Sequence, residues 1–263
     1  MLKIEHLRKT FNAGTVNEKQ VFTNLNLTVE DGDFITIIGS NGAGKSTMLN
    51  AVAGSLIPDG GRIILNDKDI TLMSEVKRAQ YIGRVFQDPM MGTAPNMWIS
   101  ENLALAYRRG EKHTLKWGMA RGEELELFKE QLARLDLGLE ERLETKVGLL
   151  SGGQRQAITL LMATIKKPEL LLLDEHTAAL DPKTAATVLD ISDKIVRENN
   201  LTTLMVTHNM QNAIDYGNRL IMMHNGNVIY DVRGEEKQKL KVEDLLHKFN
   251  EVGGAVSDSA LLS

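Results

Sequence analysis

With 263 residues, 42% of them hydrophobic and 25% charged, the chain is long enough to bury a full core and has the composition of an ordinary globular protein. A net charge of −4 without a long basic run argues against a broad nucleic-acid footprint, and no nucleic acid is expected among the partners. Cysteine is absent, which excludes disulfides and thiolate metal sites, and no apolar run approaches the ~18 residues of a membrane span, so any membrane role is expected to come through a partner.

Met1 to Glu5 runs straight into a strand-like pattern, and no signal peptide is expected. Leu2 to Lys9 and Val21 to Glu30 read as strands. In the second, Phe22, Leu25, Leu27 and Val29 share one side after a small bulge. A polar loop, Asn12 to Gln20, joins them. After the Asp31-Gly32 turn, Asp33 to Ile38 reads as a buried strand, and Lys45 to Ala53 as a helix. Between them lies Gly39-Ser40-Asn41-Gly42-Ala43-Gly44-Lys45-Ser46-Thr47, the phosphate-loop spacing of Gly, four residues and Gly-Lys-Ser/Thr. The glycines let successive N–H groups point at phosphate oxygens, and the following helix adds its positive end. Lys45 can reach the β- and γ-phosphates, and the Ser46 hydroxyl can ligate Mg²⁺.

Pro58 to Gly61 marks a turn, Arg62 to Leu65 a short strand, Ser74 the cap of a helix to Tyr81, and Ile82 to Phe86 a strand. From Gln87 onward the strand signal stops. Asp88 to Pro95 is a loop rich in Met, Gly and Pro. Ser100 is expected to cap a helix from Glu101 to Arg109, and the polar stretch Gly110 to Gly122 holds Trp117. Leu125, Phe128, Leu132 and Leu135 give Glu123 to Leu135 a helical period, and another helix follows Gly152. Residues 88–166 therefore read as a helical subdomain inserted into an α/β core made of residues 1–87 and 167–234.

The α/β pattern then resumes. Glu169 to Asp174 is a continuous apolar strand of the kind a covered parallel sheet needs. Pro182 starts a helix to about Glu198. Leu201 to Thr207 is a strand, and Asn209 caps a short helix to Tyr216. Arg219 to Met223 and Val228 to Val232 flank Asn225-Gly226, a hairpin signal. Residues 235–252, with Val242 to Phe249, are expected to form a C-terminal helix that completes a single domain, and the small, polar tail of residues 253–263 to be disordered.

Two further stretches carry chemistry. Asp174 and Glu175 end an apolar strand downstream of the phosphate loop, where an acid holds Mg²⁺ in phosphate-loop proteins. Alternation aims the two differently, so one can serve a metal and the other an attacking water. Leu150-Ser151-Gly152-Gly153-Gln154 precedes an apolar helix, making a second helix N-terminus able to bind an anion.

Together these motifs resemble the nucleotide-binding ATPase subunit of an ATP-binding-cassette (ABC) transporter of the bacterial importer type, over residues 2 to about 232. Gly39 to Thr47 resembles Walker A, Gln87 the Q-loop glutamine, Leu150 to Gln154 the family signature, and Leu170 to Asp174 Walker B. Glu175 sits at the catalytic glutamate, Asp181 in the D-loop, His208 at the switch histidine, and Phe11 at the adenine-stacking aromatic. The resemblance implies a phosphate-loop NTPase core of mostly parallel sheet, with an antiparallel β flank and an inserted α-helical subdomain.

It also implies a head-to-tail homodimer that sandwiches ATP between Walker A of one copy and the signature of the other. Lys45, Mg²⁺ and His208 would neutralise charge there, with Ser46, Gln87 and Asp174 on the metal side. Glu175 would activate water, Ser151, Gly152, Gly153 and Gln154 would face the partner's nucleotide, and Asp181 would contact the partner. The implied partners are integral membrane permease subunits and, indirectly, an extracellular solute-binding protein, with the chain peripheral on the cytoplasmic face of the membrane. Met90, Met91, Met97 and Trp98 would either line a groove for a permease helix or fill core.

His176 departs from the family's usual proline, and the helix from Ala157 to Ala163 lacks the common arginine-alanine pair. The combined pattern is similar to ATPases of small bacterial importers with lipoprotein receptors, some of them for aromatic amino acids. The alternative is a soluble ABC ATPase of complex assembly, of the iron–sulfur type, working without a permease.

Overall fold

A computed structural model describes residues 1–111 and 122–253. The stretch around Trp117 and residues 254–263 of the tail lie outside the described residues. In chain order, β1 (Leu2–Phe11), β2 (Lys19–Val29), β3 (Phe34–Gly39), α1 (Lys45–Ala53), β4 (Gly60–Leu65), β5 (Lys68–Asp69) and the single turn α2 (Glu75–Arg78) come first. Next are β6 (Ile82–Val85), α3 (Ile99–Tyr107), α4 (Glu123–Ala133), α5 (Gly152–Thr164), β7 (Leu170–Asp174) and α6 (Pro182–Asn199). The last are β8 (Thr203–Val206), α7 (Met210–Asp215), β9 (Arg219–His224), β10 (Asn227–Arg233), α8 (Gly234–Gln238) and α9 (Val242–Gly253). They fall into two compact units, one of residues 1–78 with the chain from Leu201, the other Ala79–Asn200.

In the first unit β1 pairs antiparallel with β2 and β4, and β4 with β5. The register slips between the Leu7–Leu25 and Lys9–Phe22 pairs, and this irregularity lets Phe22, Leu25, Leu27 and Val29 all be buried despite their uneven spacing. β3 lies between parallel neighbours β8 and β9, and β10 pairs antiparallel with β9. All six residues of β3 are buried, which is why it reads as an unbroken apolar run. Its one hydroxyl, on Thr36, donates to Ala213 O at 2.7 Å.

The Asn225-Gly226 turn has φ of 46° and 75°, the signs a type I′ hairpin needs. Arg219 fastens that hairpin. Its buried guanidinium donates to both Asp231 oxygens (2.8 and 2.6 Å), to Asp33 at 3.1 Å and to Thr28 O at 2.8 Å. The Asp231 partnership raises the Arg219 pKa further above its ordinary value. α9 lays Leu245 and Phe249 into a core with Ile38, Met210, Ala213, Leu220 and Met222.

The helix expected from Ser74 to Tyr81 stops at Arg78. That side chain turns inward, donating to Ala51 O, Val52 O, Thr71 O and Met73 O at 2.7–2.9 Å. It thereby satisfies two of the last carbonyls of α1.

In the second unit β6 and β7 run parallel, Ile82 opposite Leu170 and Val85 opposite Leu173. The helices close over Ile99, Leu103, Phe128, Leu132, Leu139, Val147, Ala157, Ile158 and Leu161. Full burial of each large side chain of this kind stabilises by roughly 1.5–3 kcal/mol. Tyr107 and Phe128 meet edge to face, 6.0 Å between centroids. α3 begins at Ile99, not after Ser100. Ser100 is a buried helical residue, and the Trp98 N–H is accepted by Glu101 Oε2 at 2.7 Å.

Candidate functional site

The first unit carries the phosphate loop at the end of β3. Thr207 N–H donates to Ile37 O at 3.1 Å, so β3 and β8 leave the sheet at one edge, and His208 follows there, exposed. Gly39 opens the loop at φ 156°, and a Cβ on it would stand 2.2 Å from the Met223 carbonyl oxygen, so only glycine fits. Gly42 and Gly44 also take positive φ, 82° and 100°. Gly44 is the N-cap of α1 and offers no side-chain cap. The first turn of α1 thus faces the loop without an oxygen from its cap residue, and its positive end suits an anion. Lys45 is buried, its ammonium donating to Gly39 O at 2.6 Å and Ser40 O at 3.2 Å. Ser40 and Thr47 are partly buried, Ala43 is buried, and Asn41, Gly42 and Ser46 are exposed. Phe11 ends β1, half-buried, with the Lys9 ammonium 5.7 Å from its ring centroid.

The second unit carries the acids and the second glycine loop. The register of β6 and β7 brings Gln87 and Asp174 out at the same strand ends, Gln87 exposed. Asp174 Oδ2 accepts from Arg84 Nη2 at 3.2 Å, and the Arg84 guanidinium lies 4.6 Å from the Phe86 ring centroid. Glu175 has φ 48°, in the left-handed region, and its carbonyl accepts the Ala178 N–H at 2.9 Å. His176, next to it, is buried against Ser192, and burial pushes its pKa down to about 4, so the ring is neutral at neutral pH.

Ser151 caps α5 in a reciprocal box. Its Oγ accepts Gln154 N–H at 3.2 Å, while Gln154 Oε1 accepts Ser151 N–H at 3.3 Å. The hydroxyl accepts there and keeps its own hydrogen to donate elsewhere. Gly152 is exposed and Gly153 buried, where its missing Cβ makes room for Thr184 of α6. Asp181 caps α6, accepting Thr184 N–H at 3.1 Å, and the Thr184 side-chain hydrogen bond, with this backbone bond second, lowers its pKa. Met90 and Met91 are 40% and 69% exposed, so these two do not fill core, while Met97 and Trp98 are half-buried.

Sequence reasoning missed three supports. Arg84 steadies Asp174 from the neighbouring strand. Gln156, buried, donates to Phe86 O at 3.1 Å, tying the signature helix to the segment before Gln87. Arg155 donates to Val147 O, Gly148 O and Leu150 O at 3.0–3.3 Å, holding the segment that leads into Ser151. Ser46 in the first unit, and Asp174 and Gln87 in the second, each offer an oxygen of the hard kind that suits Mg²⁺.

Comparison with known proteins agrees with this reading. Residues 22–178 match the ABC transporter family. The chain is 48% identical to the tyrosine transport ATP-binding protein of Clostridioides difficile, over 95% of this chain and 98% of that one. It is 31% identical to the phosphonates import ATP-binding protein PhnC of Lactococcus lactis, over 94% and 99%. Among solved structures it is similar to the dimeric post-hydrolysis state of the ATP-binding cassette MJ0796 bound to ADP and Pi, with TM-score 0.74, 28% identity and 89% and 98% coverage. With its phosphate loop, paired acids and signature helix, the chain belongs to the ABC transporter family as an ATP-binding ATPase.

Proposed function

We propose that the chain is the ATPase of a bacterial importer, acting as a head-to-tail homodimer on the cytoplasmic face of the membrane and driving a separate permease. What carries the dimer reading is that one chain offers two phosphate-ready helix N-termini, α1 behind Gly44 and α5 behind Ser151. A site that places α1 of one copy and α5 of the other on one nucleotide uses both. The import relatives support the transport role over the assembly alternative, and the tyrosine transport relative supports an amino acid as the solute. A solute-binding protein would then act through the permease.

In this reading Phe11 stacks the adenine, for roughly 1–3 kcal/mol. Lys45 exchanges the Gly39 and Ser40 carbonyls for phosphate oxygens. Ser46, Asp174 and Gln87 would hold Mg²⁺, which would supply neutralisation of phosphate charge. Glu175 takes the proton of the attacking water, and His208 donates toward the γ-phosphate. Ser151 donates its free O–H hydrogen to the γ-phosphate of the nucleotide bound by the other copy. Asp181 meets the other copy beside it. Phosphoryl transfer needs chiefly such positioning and neutralisation.

Glu175→Gln tests the reading. It is expected to bind ATP and accumulate as a nucleotide-bridged dimer, seen by size exclusion, with turnover lost. Hydrolysis at the normal rate would refute the base assignment. Isolation of the chain only in a soluble complex without a permease would sink the importer role.

A further inference from the structure

His176 is a buried, titratable side chain to which the mechanism above gives no task. It is 2% exposed, and its Nε2 lies 3.0 Å from Ser192 Oγ on α6. A serine hydroxyl has one hydrogen. At 2.7 Å from Val188 O, that hydrogen is committed to the Val188 carbonyl. Oγ can then only accept from the imidazole, so Nε2 carries a proton and His176 is the donor. α6 itself fixes the direction of the bond.

The residue before it is the proposed base. Glu175 sits at φ 48°, and its carbonyl closes a turn onto Ala178 with His176 in the second position. A non-glycine residue in that region is held there only when its surroundings over-determine it. The His176 ring reaches out of the turn to an element that is itself pinned, by the Asp181 cap and by Thr184 against Gly153.

We infer that His176 is a positioning residue, whose Nε2–H bond to Ser192 fastens the Glu175 turn to α6 and so sets where the Glu175 carboxylate stands. The inference rests on the proposed role of Glu175 as the base. The ring itself is buried. It acts through the backbone of its neighbour.

Turnover, ATP affinity and thermal midpoint are measured on the full chain and its variants. Ser192→Ala removes the acceptor and is expected to lower kcat about five- to twentyfold, with ATP affinity unchanged, since a misplacement of order 1 Å at a reacting group costs up to about 100-fold. His176→Gln keeps an N–H at similar reach and is expected to keep most of the turnover. The double variant His176→Phe/Ser192→Ala replaces both partners by apolar groups. Its thermal midpoint is expected to return toward the wild-type value. Its kcat is expected to stay low, because an apolar contact has no direction.

Wild-type kcat in Ser192→Ala, loss of ATP affinity in step with kcat, or recovery of kcat together with the midpoint in the double variant would each overturn the inference. Glu175→Gln run alongside separates the two readings. If it hydrolyses at full rate, the base assignment falls and the positioning role with it. If it is inactive while Ser192→Ala is normal, the positioning role falls alone.

Discussion

Replacing Gly153 by alanine sets helix propensity against packing. Gly153 is the second residue of α5, and its φ is not positive, so the backbone accepts alanine. Propensity alone favours the change by up to ~1 kcal/mol. The new Cβ, however, would stand 2.1 Å from Thr184 Cγ2. Comfortable carbon contacts lie at roughly 3.5–4.0 Å, so α5 and α6 must part by about 1.5 Å there. Overpacking of this kind costs about 1–3 kcal/mol, leaving a net loss of up to about 2 kcal/mol. For a chain of this size that lowers the thermal midpoint by up to about 8 °C. Turnover should fall further than stability, by about tenfold or more, because the shift moves the Ser151 hydroxyl. Thermal unfolding and steady-state ATPase assays read the two effects. Thr184→Ser deletes the colliding methyl and should restore both in the double variant. A raised midpoint with unchanged turnover in Gly153→Ala would refute the close approach of α5 and α6.

Other substitutions probe different parts of the frame. Ser151→Arg should abolish ATPase activity while leaving nucleotide binding by the monomer intact, checked by equilibrium binding at low protein concentration; lost binding there would place Ser151 on its own chain's nucleotide. Arg219→Ala strands two carboxylates and a carbonyl and should destabilise by about 3–5 kcal/mol, measured by denaturant unfolding, since one partner of a buried ionic cluster is removed. A loss under about 1 kcal/mol would mean that the cluster behaves as an exposed surface pair.

Much of the candidate site was legible because its residues are neighbours in sequence. The phosphate loop and the paired acids are local patterns whose chemistry follows from residue type and spacing, while the role expected of the signature comes from the family resemblance. The long strands and the Asn225-Gly226 hairpin were legible for the same reason. What escaped was set by contacts across the fold. Nothing near Asp174 announces Arg84, ninety residues earlier, because parallel register decides that pairing. Ser192 becomes the partner of His176 only once α6 has folded back beside the turn. The start of α3 was misplaced because Ser100 is a common cap residue. The better signal was Glu101, three residues after Trp98, whose carboxylate takes the Trp98 N–H. β5 is two residues long, too short for any alternation to show.

Asp181, Thr184, Val188 and Ser192 recur along α6 at steps of three, four and four, which places them on one stripe of the helix. The stripe is a shared mechanical reference. The signature glycine is gauged against it at Thr184, and the proposed base is gauged against it at Ser192, so the half-site proposed for another copy and the chemistry proposed for this one are measured from one rod. A rotation of α6 by one residue, about 100°, would lose both at once. Variants along the stripe should therefore combine non-additively, even where they touch different loops.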